Sequence, residues 1–338
     1  MQTSLTTTPL GRTDMDITRV GFGAWAIGGG GWTFAWGDQD DSASVAAIRH
    51  AVEQGVNWID TAAVYGLGHS EEVVAQALAG LPEADRPYVF TKGGLVWDDA
   101  AREARPRRVG DPASLRCEVE ASLRRLQVER IDLYQMHWPA EDGSRIEDYW
   151  PVFRALVDEG KVRAVGLSNH DVPRLEAAEQ IGHVDTLQPK FSLVHREVAA
   201  DLLPWCVDHG TGVIVYSPMA SGLLTGSFTA QRAAALGSDD WRGASEDFVG
   251  EGLRRNLQLV EAVRPVAERH GVSVGAVAIA WTLAFDGVTA AIVGARSPEQ
   301  VDGWLPAADL VLDAADVAEI ADALAAWGTG SGPTRPTT

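Results

Sequence analysis

Short apolar runs alternate along the chain with longer stretches in which apolar positions recur every three or four residues. The short runs are "RVGFG" (19–23), "VNWID" (56–60), "YVFTK" (88–92), "IDLYQMH" (131–137), "VRAVGLS" (162–168), "VDTLQP" (184–189), "GVIVYS" (212–217) and "TAAIVG" (289–294). They are continuous rather than alternating and rich in Val and Ile, the pattern of strands buried on both faces of a parallel sheet. The longer stretches read as helices. "DSASVAAIRHAVEQG" (41–55) opens on cap residues and ends in Gly, and "DPASLRCEVEASLRRLQ" (111–127) sets Asp at the N-cap with Pro at the first helical position. "VPRLEAAEQIG" (172–182) and "SVGAVAIAWTLAFDG" (273–287) read the same way.

Eight strands, each followed by a helix, in a chain of 338 residues predict a single (β/α)8 barrel domain over 1–338. A doubly wound sheet is the rival, but "GFGAWAIGGGG" does not match its phosphate loop: Gly21 and Gly23 fit, and Ala26 stands where the third Gly belongs. Three segments depart from the repeat. Residues 8–18 read as a β-hairpin ahead of the barrel. Residues 93–111 and 218–254 are long loops that follow strands, so they fall on the C-terminal rim, where barrels keep their chemistry. The tail 328–338, "GTGSGPTRPTT", is expected to be flexible.

Composition narrows the function. Hydrophobic residues make up 46% and charged ones 22%, with no window of eighteen apolar residues and hence no predicted membrane helix. The N-terminus lacks a basic stretch followed by an apolar one, so no signal peptide is predicted. The two cysteines, Cys117 and Cys206, are far apart and suit a reducing cytoplasm. The formal net charge of -19 argues against a nucleic-acid partner and requires a locally positive pocket for any anionic ligand. None of the histidines (50, 69, 137, 170, 183, 195, 209, 270) pairs with Cys or carboxylates at metal-ligand spacing, so no metal site is predicted.

Candidate chemistry gathers at strand ends. Asp60 closes the second barrel strand, Lys92 the third and His137 the fourth, and Tyr65 lies just past the second. Taken alone, each has an ordinary structural reading, as a loop cap or a satisfied core residue. Together, on neighbouring strands, they converge on one patch. An ammonium beside a phenol favours phenolate and lowers its pKa from about 10. Lys92 is placed to supply that charge, Asp60 to hold the lysine, and His137 to direct a carbonyl oxygen towards the Tyr65 hydroxyl. Such a set protonates an oxygen whose carbon receives a hydride.

The stretches "GVNWIDTAAVYGLGHSEEVVAQAL", "VFTKGGL", "IDLYQMHWP", "DEGKVRAVGLSNH", "VYSPMASGLLTG" and "AIVGARSPEQV" together resemble the aldo-keto reductase superfamily. The likeness runs from 8 to 315 with the motifs in family order, and is nearest to a bacterial branch sharing "GARxPxQ". The resemblance implies an NADPH-dependent (β/α)8 barrel whose catalytic tetrad falls on Asp60, Tyr65, Lys92 and His137, with Tyr65 as general acid in reduction. It also implies that Ser168, Asn169 and Gln188 bind the nicotinamide carboxamide and that Tyr216 stacks on the ring. Gly23, Trp25 and Asp60 join the cofactor site. Ser217, Pro218, Met219, Ser221, Gly222 and Leu223 would line the pyrophosphate, where small residues admit backbone N–H groups. At the last strand, Gly294, Arg296, Ser297 and Gln300 stand at a helix start, and Arg296 is the candidate for the 2′-phosphate, favouring NADP(H). Two departures touch the cofactor: Gly303 and Trp304 replace a Glu-Asn pair that contacts adenine in many relatives, and Ser227 replaces a common Lys.

Of twelve tryptophans, Trp25, Trp32, Trp36, Trp97 and Trp138 follow strand ends. Trp25, Trp32, Trp97 and Trp138 are expected to wall a substrate pocket suited to bulky or aromatic carbonyls, while Trp58, Trp150, Trp205 and Trp281 belong to packing. "REARPRR" (102–108) reads as a solvated loop, with steering of an anionic substrate as its alternative. Three functions remain open: an NADPH-dependent carbonyl reductase, an NADP-dependent sugar or polyol dehydrogenase, and a nucleotide-sensing regulatory subunit. The sequence leaves the oligomeric state open.

Overall fold

A computed structural model describes residues 5–237 and 240–336. The eight predicted strands are present and close on themselves. They are β3 (Val20–Gly23), β4 (Trp58–Asp60), β5 (Tyr88–Gly93), β8 (Ile131–Met136), β9 (Val162–Ser168), β10 (Thr186–Gln188), β11 (Gly212–Val215) and β12 (Ala290–Gly294), all parallel, with β12 pairing back onto β3. The remaining strands are two short hairpins, β1 (Thr7–Pro9) with β2 (Asp16–Thr18), and β6 (Leu95–Val96) with β7 (Arg107–Arg108).

Two apolar cores result. Inside the barrel, Trp58, Phe90, Leu133, Ile214 and Ile292 pack with Leu10, Met15 and Ile17, so the first hairpin plugs one mouth. Trp58 occupies space that only glycine leaves open across the barrel, since a Cβ on Gly21 would stand 2.1 Å from its ring. Outside, the helices lay apolar faces on the strands. The helix Pro112–Leu126 starts as predicted, with Asp111 capping Ser114 N and Pro112 at its first turn.

Some boundaries moved for local reasons. β4 begins at Trp58 rather than Val56, because the Asn57 amide is committed to β2: its Oδ1 accepts from Thr18 N at 2.8 Å and its Nδ2 donates to Asp16 O at 2.8 Å. The 93–111 loop contains the ribbon β6–β7. The 218–254 segment carries the short helix Ala230–Ala234, 3-10 turns, and the start of the long helix Gly250–His270. The tail expected to be flexible is pinned at its start: Arg255 donates to Gly328 O at 2.6 Å, Arg196 to Thr329 O at 3.0 Å, and Ser331 N to Glu197 Oε1 at 3.1 Å. Its last two residues, 337 and 338, lie outside the described residues. Among the described residues no helix is long and apolar enough to cross a membrane, and no cluster of three His, Cys, Asp or Glu side chains is arranged to hold a metal ion.

Candidate active site

The strand register brings the four predicted residues together at the open mouth. Gly294 pairs with Gly23 and Gly23 with Asp60, while Lys92 pairs with Gln135 one strand further on. Lys92 Nζ donates to Asp60 Oδ1 at 2.5 Å and to Thr61 O at 2.8 Å, and Gln188 Nε2 donates to Asp60 Oδ2 at 2.9 Å. Both carboxylate oxygens are satisfied inside a dry pair. Burial raises the Asp60 carboxyl and lowers the Lys92 ammonium, and their mutual attraction opposes both shifts.

Tyr65 lies against this pair, with Lys92 Nζ 5.4 Å from its ring centroid and the His137 ring edge-on at 5.7 Å. The expectation that Lys92 lowers the Tyr65 pKa is corrected. Burial first, then the charge of Asp60, push the hydroxyl well above its ordinary value. The phenol therefore holds its proton. His137 is kept neutral by burial and then by Lys92 and Arg108. Its Nδ1 is buried without a hydrogen-bond partner among the described residues.

The residues expected to seat a carboxamide form a chain of hydrogen bonds. Ser168 Oγ donates to Gln188 O at 2.8 Å, Asn169 Nδ2 to Ser168 Oγ and His137 O at 3.0 Å each, and the Tyr216 hydroxyl to Asn169 Oδ1 at 2.8 Å. Asn169 takes a left-handed φ of 62°, a conformation Asn tolerates better than most residues. Behind it, the His170 ring bonds Ser168 O through Nδ1 and the Tyr149 hydroxyl through Nε2, each at 2.8 Å. A carbonyl only accepts, so Nδ1 carries the hydrogen and Nε2 accepts from Tyr149. Burial pushes the His170 pKa down to about 4.

A cavity of about 410 Å³ opens beside Gln188 and Tyr216 and extends to Arg296 and Gln300. Its lining includes Asp60, Tyr65, Gln188, Tyr216 and Trp25, the turn residues Ser217, Pro218, Met219, Ser221 and Gly222, and Arg296 with Gln300, while the paired Gly23 and Gly294 carry it across the neighbouring strands β3 and β12. Ser168 and Asn169 stand one layer behind the wall. Leu223 does not face the cavity: its side chain is buried in the core and its N–H donates to Ala220 O at 3.1 Å. Ser217, Ala220 and Ser221 all adopt left-handed φ, turning the backbone sharply along the cavity. A Cβ on Gly23 would meet Ile292 Cγ2 at 2.8 Å.

At the far end Arg296 is already engaged. Its guanidinium donates to Trp36 O at 3.2 Å, to Asp38 O and to Gln39 Oε1, while its backbone N donates to Gln300 Oε1 at 2.8 Å. Arg242 comes close enough that its charge, after burial, lowers the Arg296 pKa. Arg242 is itself gripped by Asp240, with Nε and Nη2 on the two oxygens at 2.9 and 2.6 Å, and lies 4.8 Å from the Trp36 ring centroid. Trp304 reaches the cavity with its indole N–H buried and, among the described residues, unpartnered.

Of the four tryptophans expected at the substrate, Trp25 lines the cavity, sandwiched between Tyr65 and Trp241 at 6.1 Å on each side. Trp32 is buried, its ring centroid 6.5 Å from that of Tyr65. Trp97 packs half-buried in the same aromatic cluster, and Trp138 sits half-buried under Arg108. Trp241, Arg242, Tyr149 and His170 were missed as site residues. The first two lie in an aperiodic loop, where the only signal was its place on the rim. The last two act through a contact between residues twenty-one apart, which no local pattern announces.

A family model described as "Aldo/keto reductase family" matches residues 19–325. The chain is 36% identical over 332 residues to an NADH-specific methylglyoxal reductase of Escherichia coli (strain K12), covering 94% of this chain and 98% of that protein. It is 35% identical over 306 residues to aldo-keto reductase YhdN of Bacillus subtilis (strain 168), covering 88% of each. Among solved structures, the glycerol dehydrogenase AKR11B4 from Gluconobacter oxydans superposes with a TM-score of 0.86 at 36% identity, covering 98% of both chains. An aldo-keto reductase from Klebsiella pneumoniae in complex with NADPH gives 0.71 at 28% identity, again with 98% of both chains covered.

Proposed function

The chain belongs to the aldo/keto reductase family, and from that premise we propose that it reduces small aldehydes or ketones with NADP(H), Tyr65 delivering the proton. The observation that carries this reading is the continuous cavity from Asp60 and Tyr65 to Arg296 and Trp304. Its lining fits a dinucleotide: polar groups near the tetrad, a tightly turned backbone in the middle, and cations with an unpartnered indole N–H at the far end. A bound nicotinamide dinucleotide supplies the hydride. Gln188 and Tyr216 reach the cavity directly, with Ser168 and Asn169 fixing them from behind. A carbonyl oxygen near Tyr65 receives its proton from a phenol that burial keeps protonated, and the neutral His137 orients that oxygen. The Lys92–Asp60 pair holds the local electrostatics steady.

Arg296 and Arg242 supply the charge for a 2′-phosphate in an otherwise acidic molecule. The NADH-specific relative and the NADPH-bound one bracket this chain, so preference rests on how readily Arg296 leaves its contacts with residues 36–39. A second reading, oxidation of a polyol by NADP+, draws on the likeness to a glycerol dehydrogenase. Tyr65→Phe tests the shared mechanism. With NADPH and 4-nitrobenzaldehyde, kcat should fall by about 10³-fold, while nucleotide affinity measured by fluorescence stays near that of the wild type. Intact turnover would remove Tyr65 as the acid.

A further inference from the structure

The basic stretch 102–108 has no part in the cavity just described, yet the fold carries one of its arginines to the mouth. The ribbon β6–β7 is rooted at the end of β5, immediately after Lys92 and Gly93. In its ladder Arg108 lies opposite Leu95, and Arg107 opposite Val96. Directly opposed residues share a face of a ribbon, so Arg108 is on the side of Leu95. Leu95 packs in the cluster that contains Tyr65, Trp25, Phe34 and Trp97. That face therefore looks towards the phenol, and Arg107 is turned outward and exposed.

The Arg108 guanidinium lies 4.3 Å from the ring centroid of Trp138, the residue after His137. Its charge reaches the His137 imidazole and is among the causes that keep it neutral. At the other end of the ribbon, Thr33 Oγ1 donates to Glu103 O and Arg105 stands 6.0 Å from the Phe34 ring centroid, so the ribbon leans on the loop after β3. Arg108 has one acidic partner among the described residues, Glu141, whose Oε1 accepts at 2.5 Å and whose side chain is 66% exposed. An ion pair this open to water exchanges partners readily. A guanidinium over an indole face is steadied by the ring while its N–H fork can still pair with a planar carboxylate.

We propose that Arg108, lying over Trp138, binds the carboxylate of a carbonyl substrate, so that the preferred substrates of this site are aldehydes or ketones bearing an acid group away from the reacting carbon. This rests on the reductase reading above. The net charge of -19 repels such anions from the rest of the surface, and Arg108 gives them a landing beside His137. Glu141 is the competitor the substrate displaces.

The test compares 4-carboxybenzaldehyde with its neutral methyl ester, at saturating NADPH. Wild type should favour the acid in kcat/KM by about tenfold, and 0.5 M salt should narrow that ratio. Arg108→Met, which keeps the stem over Trp138, should erase the ratio. Glu141→Gln, which frees the guanidinium, should widen it by about threefold. A wild-type ratio near one, or a ratio unmoved by both substitutions, overturns the proposal. Should Arg108→Met fail to fold, the wild-type ratio, its salt dependence and Glu141→Gln decide alone. If neither aldehyde is reduced, it is the reductase reading that fails.

Discussion

At the tetrad end of the cavity the charged and polar side chains hang from strand termini; at the Arg296 end they are gripped by loops. Asp60 and Lys92 lie on the adjacent strands β4 and β5, Gln188 reaches them from β10 across the barrel, and the three satisfy one another within a buried network, closed by two bonds onto Asp60 from Lys92 and Gln188. Arg296 lies just ahead of the helix Pro298–Trp304, its guanidinium held by Trp36, Asp38 and Gln39, and Arg242 is held by Asp240, all from segments outside the sheet. The barrel's hydrogen-bond register fixes the first set. The second set depends on where two long excursions come to rest. On the proposed reading, chemistry sits where the backbone has the least freedom, and cofactor choice where it has more.

That contrast can be broken most severely at Lys92. Lys92→Met leaves Asp60 buried without its cation, which should cost about 3–5 kcal/mol of stability. Refolded enzyme should also lose about 10³-fold in kcat. Thermal melts and stopped-flow turnover read both, and a variant with wild-type stability would show that the pair is not the anchor described. Arg296→Ala should act only at the other end. KM for NADPH is expected to rise by about thirtyfold, with NADH changed by less than about threefold. Equal losses with both cofactors would make Arg296 a tether for residues 36–39 and nothing more.

A smaller effect sharpens the picture of the rigid end. His170 has its folded pKa depressed from 6.5 to about 4, so the unfolded chain binds the extra proton. Its stabilising contribution is complete above pH 6.5 and is lost as pH falls towards 4. By pH 5.5 the loss is about 1.4 kcal/mol. Chemical denaturation at pH 7 and 5.5 should show it, and His170→Phe should flatten the difference. An unchanged slope in that variant would mean that other groups set the acid sensitivity.

Much of this was legible before any fold was known. The eight continuous apolar runs announced the barrel because a strand covered on both faces has no polar alternation to display. Asp60, Lys92 and His137 could be grouped because strand ends in such a barrel share one rim. The Tyr65 pKa was misread: the Asp60–Lys92 pair was expected, but not that burial of the phenol, and then the charge of Asp60, would outweigh the ammonium. The His170–Tyr149 contact, the sandwich of Trp25 between Tyr65 and Trp241, and the cation pair at Arg296 were out of reach. Each joins residues from loops or helices whose approach no periodicity encodes.

By itself the sequence determined the architecture, the order of the strands and the residues that can share the mouth, because these follow from local periodicity and from barrel closure. Tertiary structure alone decided which protons are held, which cations remain available and which face of the β6–β7 ribbon Arg108 presents. Those outcomes depend on burial and on distances between side chains remote in the chain, and it is desolvation in the assembled molecule that sets them.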